Sequence, residues 1–282
     1  MSLTLFDGLE PYRKALETER AAGRTVGLVP TMGALHAGHS SLIRRASREC
    51  DAVAVTIFVN PLQFAPGEDL ATYPRDLQGD SAKITEAGAV YLLAPPVQEM
   101  FAAPPMTSVT VSPIGDALEG ASRPSHFTGV ATIVAKLFAV SGPCRAYFGE
   151  KDYQQLAVIR RMVDDLGFAV DVVGCPTVRD TDGLALSSRN AYLSPDERAA
   201  APTLYRALLA GRDAIDAGER DPGSVRATMA GVVASQPTFS LDYAEVTAAD
   251  LTPLGTVAGE VRLLIAARIG RARLIDNLGA HA

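Results

Sequence analysis

Cysteine is scarce and unpatterned in this 282-residue chain, with only Cys50, Cys144 and Cys175. An odd number at wide spacing, without a CxxC pair, argues against a disulfide framework. Small buried apolar residues in a reducing cytoplasm are the expectation instead. Long apolar runs are missing too. LLAPPV, and AVAV and IFV on either side of Thr56, are strand-sized and far short of the roughly 20 residues of a membrane span. The opening stretch MSLTLFDGLEPYRKALETER carries acidic residues early and lacks the apolar core of a signal peptide. An excess of positive charge is absent: 26 Lys and Arg against 32 Asp and Glu leave a net charge of −6. A broad cationic surface for nucleic acid is therefore not expected, although a local basic pocket is compatible. Lysine itself is rare, confined to Lys14, Lys83, Lys136 and Lys151, so a lysine beside a motif counts individually. In the apolar helical pattern around it, Lys136 reads as a snorkelling side chain.

What remains is an ordinary globular composition, 48% hydrophobic and 21% charged, in a length that suits one large domain or two smaller ones. The apolar spacing from Asp7 to Ala22 predicts a helix stopped by Gly23, followed by a buried strand at TVGLVPT (25–31). SSLIRRASREC predicts a helix, AVAVTIFV (52–59) a second buried strand, and NPLQFAPGEDLATYP (60–74) a long loop. Helical spacing over 76–87 is followed by strands at VYLLAP (90–95) and TSVTVS (107–112). A helix over 128–142, the strand RAYFGE (145–150), an amphipathic helix over 153–167 and the strand AVDVVGCP complete the series. Buried strands alternating with helices predict a Rossmann-like, doubly wound α/β fold with a parallel sheet. From about residue 178 the texture changes to a polar segment, alanine-rich helices near 195–217 and 224–235, and strands. The expected organisation is a domain over 1–177 and a smaller C-terminal α/β domain over 178–282. There is no internal repeat.

Three clusters of residues carry chemistry. In an open α/β sheet, ligands bind outside the carboxyl ends of the strands. The strand TVGLVPT runs directly into MGALHAGH, with a helix expected to begin near His39. Backbone N–H groups at a helix N-terminus beside His36 and His39 make an anion site, and Gly33 and Gly38 permit tight turns and close approach. Two other readings stand beside it: zinc ligation, which needs further ligands that the isolated His126 and the terminal His281 do not obviously supply, and a structural pair. The second cluster, FGEKDYQQL, follows the strand RAYFGE, so Lys151 and Asp152 are expected at the same sheet edge, with Gln154 and Gln155 opening the next helix. Lysine is a point charge suited to phosphate; the plain alternative is a solvated pair capping the helix. The third, LSSRN (186–190), sets two hydroxyls beside a guanidinium, a compact group of phosphate donors.

In this order, VPTMGALHAGH, IFVNPLQF, YPR, RPSHFTGV, YFGEKDYQQL and GLALSSRNAYL, with a weaker stretch at LIDN, resemble the pantoate–β-alanine ligases, a family within the nucleotidylyltransferase superfamily with its HIGH-type signature. The resemblance implies a two-step ligation of pantoate and β-alanine through a pantoyl adenylate, with ATP and Mg²⁺, and a homodimer that binds neither nucleic acid nor membrane. It implies that His36, His39, Lys151, Ser187, Ser188 and Arg189 serve the phosphates and the departing pyrophosphate. Met32, Gly33, Gly38, Gly149 and Asp152 would complete the ATP site. Pro30, Thr31, Phe58, Asn60, Gln63, Tyr73, Arg123 and Gln155 would bind pantoate or β-alanine. Where the family often has neighbouring acidic residues after YPR for Mg²⁺, this chain has YPRDLQGD, with Asp80 beside Gly79 and Asp76 before it, so the metal is expected to depend on Asp80, phosphate oxygens and water. The C-terminal domain, carrying LSSRN, is expected to act as a lid. Another nucleotidyl-transferring enzyme of the same fold would share HAGH and SSR but has no need of IFVNPLQF or RPSHFTGV. A non-catalytic nucleotide binder would need fewer phosphate contacts, and a tRNA synthetase would need more chain for its tRNA.

Overall fold

The structure, a computed structural model, describes residues 3–65, 68 and 70–282; residues 66, 67 and 69 of the expected long loop lie outside it. The chain divides into two compact units, one of residues 1–150 with 154–176, the other of 151–153 with 177–282.

The first unit contains β1 (Thr4–Phe6), α1 (Leu9–Ala21), β2 (Val26–Thr31), α2 (Ala37–Glu49), β3 (Ala52–Ile57), α3 (Leu77–Glu86) and β4 (Tyr91–Leu93). Two single-turn helices, α4 (Val97–Met100) and α5 (Glu119–Ser122), precede α6 (His126–Ser141), β5 (Cys144–Gly149), α7 (Tyr153–Leu166) and β6 (Val170–Cys175). Its sheet is six-stranded, in the order β1-β4-β3-β2-β5-β6, with every pairing parallel. Because successive side chains point to opposite faces of a strand, β2 sends Val26 and Leu28 to one face and Val29 to the other. On the first face they meet Tyr12 and Leu16 of α1, Val134 and Phe138 of α6, and Leu156 and Ile159 of α7. On the second, Val29, Val53 and Val55 pack with Leu42, Ile43 and Ala46 of α2 and Ile84 of α3. Each fully buried Leu or Ile contributes about 1.5–3 kcal/mol, which outweighs the modest helix propensity of α2's serines. Gly27 lets α2 approach: a Cβ there would lie 3.2 Å from Cys50 Sγ. The three free cysteines are buried, and burial pushes the Cys144 thiol up to about 12.

The second unit carries α8 (Pro195–Ala200), α9 (Thr203–Asp216), α10 (Pro222–Ala234), β7 (Phe239–Ala248), β8 (Glu260–Ile269) and β9 (Ala272–His281). Its sheet is antiparallel, β7-β8-β9, and buries Leu263, Ile265 and Leu274 against Leu204, Leu208, Val225 and Met229. The smaller C-terminal domain thus combines helices and strands as expected, and its three strands pair antiparallel in sequence order, as a meander.

Two expectations about single elements change. TSVTVS (107–112) forms no strand. Val109 N–H donates instead to Thr132 Oγ1, and the Thr110 and Thr128 hydroxyls lie 3.2 Å apart, so side chains of α6 take up the polar groups of this segment. β1, only three residues long, is an added edge strand beside β4.

Candidate functional site

The winding of the first sheet reverses beside β2, which is flanked by β3 and β5. The carboxyl ends of β2 and β5 therefore bound the crevice where such sheets bind ligands. At the end of β2 the Thr31 hydroxyl donates to the Thr56 carbonyl (2.7 Å) and accepts from Gly33 N–H (3.2 Å). Gly33 and Ala34 then both take left-handed backbone angles, φ +85° and +52°, and turn the chain into α2.

The helix begins earlier than the expected start near His39: His36 is the N-cap of α2. Its Nδ1 accepts from Gly38 N–H (3.1 Å), and His39 Nδ1 accepts from His36 N–H (3.3 Å). Each imidazole thus does the work of the Ser and Glu of an ordinary capping box. An Nδ1 that accepts leaves the proton of the neutral ring on Nε2. The rings lie 4.2 Å apart, tilted by 43°, and are half-buried. Among the described residues no group of three or more His, Cys, Asp or Glu is placed to hold a metal, so the zinc reading finds no further ligands there. Gly38 is required by the ring above it: a Cβ would come within 2.8 Å of His36 Cε1.

At the end of β3, Asn60 is fully buried and uses three hydrogen bonds. Its Oδ1 accepts from Leu62 N–H (3.2 Å), and its amide donates to Gln63 Oε1 and to the Gly129 carbonyl, both at 3.1 Å. Gln63 Nε2 in turn meets Met32 Sδ at 3.0 Å. Met32, Asn60 and Gln63, assigned to the two halves of the site by the resemblance, are thereby linked. The Gln63 carbonyl accepts from His126 Nδ1 (2.8 Å), leaving His126 Nε2 to accept from Arg123 Nη1 (3.1 Å). Arg123 also grips both oxygens of Glu68 at 2.7 Å, and holds that carboxyl below the usual glutamate range. So Arg123 is engaged in fixing the turn at Gln63, and His126, read from sequence as isolated, is part of the same fixture. The motif RPSHFTGV was the signal for it.

The remaining residues of this unit separate into walls and core. Pro30 pairs in register with Thr56, and Phe58 is a core residue, edge-on to Phe101 at 6.0 Å. Tyr73 is buried against Phe64. Of the two glutamines opening α7, Gln154 is structural: its amide accepts from Glu119 N–H (3.0 Å) and donates to the Ile114 and Ala117 carbonyls (2.7 Å each). Gln155 is half-buried in the first turn of α7, and Gly149 ends β5. Lys136 donates to the Met100 carbonyl and lies 5.2 Å from the Phe101 ring centre, so its ammonium is held by protein groups.

Asp80 does not fit the expected role of metal ligand. It is 1% exposed, and its Oδ2 and Oδ1 accept from Ala34 N–H and Leu35 N–H, each at 2.8 Å. A Mg²⁺ ion, which ordinarily keeps several waters and binds substrate phosphates, would therefore not take the Asp80 carboxylate in this arrangement. Asp76, by contrast, is exposed and caps α3, its Oδ1 accepting from Gly79 N–H (2.9 Å).

Lys151 and Asp152 belong to the second unit. The Lys151 carbonyl accepts from Asn277 Nδ2 (2.9 Å), and its Nζ lies 3.5 Å from Asp152 Oδ1. Asn277 and Asp276, the end of the LIDN motif, are buried in β9, where Asp276 pairs with both terminal nitrogens of Arg179 (2.6 and 2.9 Å). Arg179 stacks on Tyr205 at 3.9 Å. In LSSRN, the Ser187 hydroxyl accepts from Arg189 N–H (3.3 Å) and caps the short turn Ser188–Tyr192, while Asn190 ties that turn to the Ala185 carbonyl (3.0 Å). Ser188 and Arg189 are half-buried on it.

The family described as Pantoate-beta-alanine ligase matches residues 4–279. The pantothenate synthetase of Thermus thermophilus is 54% identical over 258 residues, covering 91% of this chain and 93% of that protein. That of Roseiflexus is 53% identical over 264 residues, covering 93% and 95%. A crystal structure of the Thermus thermophilus enzyme superposes with a TM-score of 0.94 at 49% identity over the whole of both chains. The pantoate-beta-alanine ligase of Francisella tularensis, solved in complex with beta-gamma ATP and beta-alanine, gives 0.81 at 32% identity over 98% of this chain and 97% of that one. The chain belongs to the pantoate–β-alanine ligase family.

Proposed function

We infer that this chain condenses pantoate with β-alanine at the expense of ATP. A pantoate carboxylate oxygen attacks the α-phosphorus, the bond from that phosphorus to the bridging oxygen breaks, and pyrophosphate leaves. The β-alanine amine then attacks the acyl carbon of the adenylate, loses a proton, and expels AMP. Family membership supports this chemistry, and the observation that carries it into the structure is the His36–His39 reciprocal cap at the end of β2. Two imidazoles fixed at a helix N-terminus suit phosphate oxygens that gain charge as the bond breaks.

In this reading Met32, Gly33, Gly38 and Gly149 line the nucleotide, Asp152 serves the ribose, and Lys151, Ser187, Ser188 and Arg189 neutralise the departing pyrophosphate. Gln63, held by Asn60, and Gln155 take the polar groups of pantoate, with Pro30 and Thr31 beside its dimethyl carbon. No side chain becomes covalently attached; catalysis is positioning and charge stabilisation. Mg²⁺ bound with ATP would screen the triphosphate charge.

The test is one incubation. Purified protein with Mg-ATP and pantoate should yield pyrophosphate and an enzyme-held acyl adenylate, detected by mass spectrometry, and AMP with pantothenate once β-alanine is added. Folded protein that binds ATP yet shows no pantoate-dependent cleavage would overturn the substrate assignment. The same reading makes the turn at 187–190 a lid. Saturating ATP and pantoate should then slow limited proteolysis there, and unchanged cutting would sink the lid.

A further inference from the structure

Asp80 has a second consequence, because what it holds is the loop that leads to His36. Ala34 is a non-glycine residue with φ +52°, next to Gly33 at +85°. L-residues avoid this region, and such a conformation persists only where its surroundings determine it. The determinant here is a single carboxylate 46 residues away in sequence, which receives the N–H groups of Ala34 and Leu35 on its two oxygens. One turn further along α3, Lys83 Nζ donates to the Leu35 carbonyl (2.7 Å) and lies 3.8 Å from Asp80 Oδ1. Both backbone polar groups of Leu35 are therefore held by one face of α3. Asp80 stands in the first turn of that helix, where the helix dipole favours a carboxylate. Gly33 completes the fit, since a Cβ there would lie 3.1 Å from Asp80 Oδ2. Leu35 is buried, and the next residue is His36, whose N–H closes the cap on His39.

We propose that Asp80, assisted by Lys83, is a positioning residue of the adenylation step: it locks the Met32–His36 loop in its left-handed turn so that the His36–His39 pair meets the phosphates. The proposal rests on the ATP-dependent reading above. A carboxylate that only stabilised the fold would change the melting temperature without a selective effect on ATP kinetics. A metal ligand would change the response to Mg²⁺.

The experiment measures pantoate-dependent pyrophosphate release against ATP and Mg²⁺ in Asp80→Asn, Asp80→Asn with Ala34→Gly, and Lys83→Met, each checked for native circular dichroism. Asparagine keeps the shape but sets an NH₂ group against one of the two N–H donors. The expected result is kcat/KM for ATP about 100-fold lower in Asp80→Asn, the loss expected of a displaced reacting geometry. The Mg²⁺ concentration for half-maximal rate should be unchanged. Adding Ala34→Gly should recover about 10-fold, because glycine holds a positive φ without help. Should Asp80→Asn not fold, Lys83→Met carries the test through its half-exposed side chain, with a loss of about 5-fold expected for one lost hydrogen bond. Wild-type kinetics in the folded variants, or a loss that added Mg²⁺ restores, would overturn the proposal. Absence of pantoate-dependent pyrophosphate release from the wild type would instead overturn the reading beneath it.

Discussion

Replacing Lys151 by alanine is expected to lower pantoate-dependent pyrophosphate release by about 10³-fold, the upper end of what one lost donor to a developing anion costs. The fold should survive. The Lys151 backbone is held by its own carbonyl, which accepts from Asn277, and that bond does not involve the side chain. What the truncation removes inside the protein is a 3.5 Å contact with Asp152, whose side chain is 47% exposed. A pair of that kind contributes about 0–1 kcal/mol, so the melting temperature should move by no more than a few degrees. The catalytic loss is larger because the ammonium is a point charge with three donors, and a water molecule in its place carries no net charge. Its effect should fall mainly on kcat, since charge on the bridging oxygen grows as the bond to the α-phosphorus breaks. Steady-state kinetics over ATP with a parallel melting curve measure both quantities. Turnover near the wild-type value in a folded protein would remove Lys151 from the mechanism.

Much of this arrangement is written in local pattern. TVGLVP and AVAVTI read as strands because continuous β-branched and apolar runs suit a sheet buried on both faces, and the structure buries them so. The order of HAGH, EKD and SSRN, each following or preceding a recognisable element, was likewise legible. The residues that sequence left obscure act across long separations. Asp80 looked like a metal ligand because its partners, the N–H groups of Ala34 and Leu35, belong to another loop and leave no mark in YPRDLQGD. His126 looked alone because its partner is the carbonyl of Gln63, and backbone carbonyls have no letter of their own. The cap formed by His36 and His39 was hidden for a different reason: N-caps are read from Ser, Thr, Asp and Asn, and two imidazoles exchanging that role match no common pattern. TSVTVS failed in the opposite sense. Its alternation is that of a strand, but the hydroxyl of Thr132 competes for the N–H of Val109.

Gly129→Ala should be the most damaging single methyl on the pantoate side. In α6, a Cβ at this position would lie 2.3 Å from the Leu62 carbonyl oxygen, 2.5 Å from its carbon and 2.8 Å from Gln63 Cα. All three are backbone atoms, so no rotamer change relieves the contact. Either α6 or the turn Pro61–Gln63 must move by something near an ångström. The Gly129 carbonyl also receives the buried amide of Asn60, the group that orients Gln63. Overpacking of this sort costs about 1–3 kcal/mol, or a fall in melting temperature of about 2–4 °C for each kcal/mol in a chain of this size. Displacement of Gln63 should lower kcat/KM for pantoate about 100-fold, while the KM for ATP, served by the loop after β2, changes much less. Gly231→Ala supplies the comparison: it is also helical, in α10, but its Cβ would meet nothing within 4 Å. There the better helix propensity of alanine should raise stability by about 0.5–1 kcal/mol and leave the kinetics alone. If Gly129→Ala kept wild-type pantoate kinetics, Gln63 would not depend on the close approach of α6, and the hydrogen-bonded chain from Gly129 through Asn60 to Gln63 would be packing without a part in substrate binding.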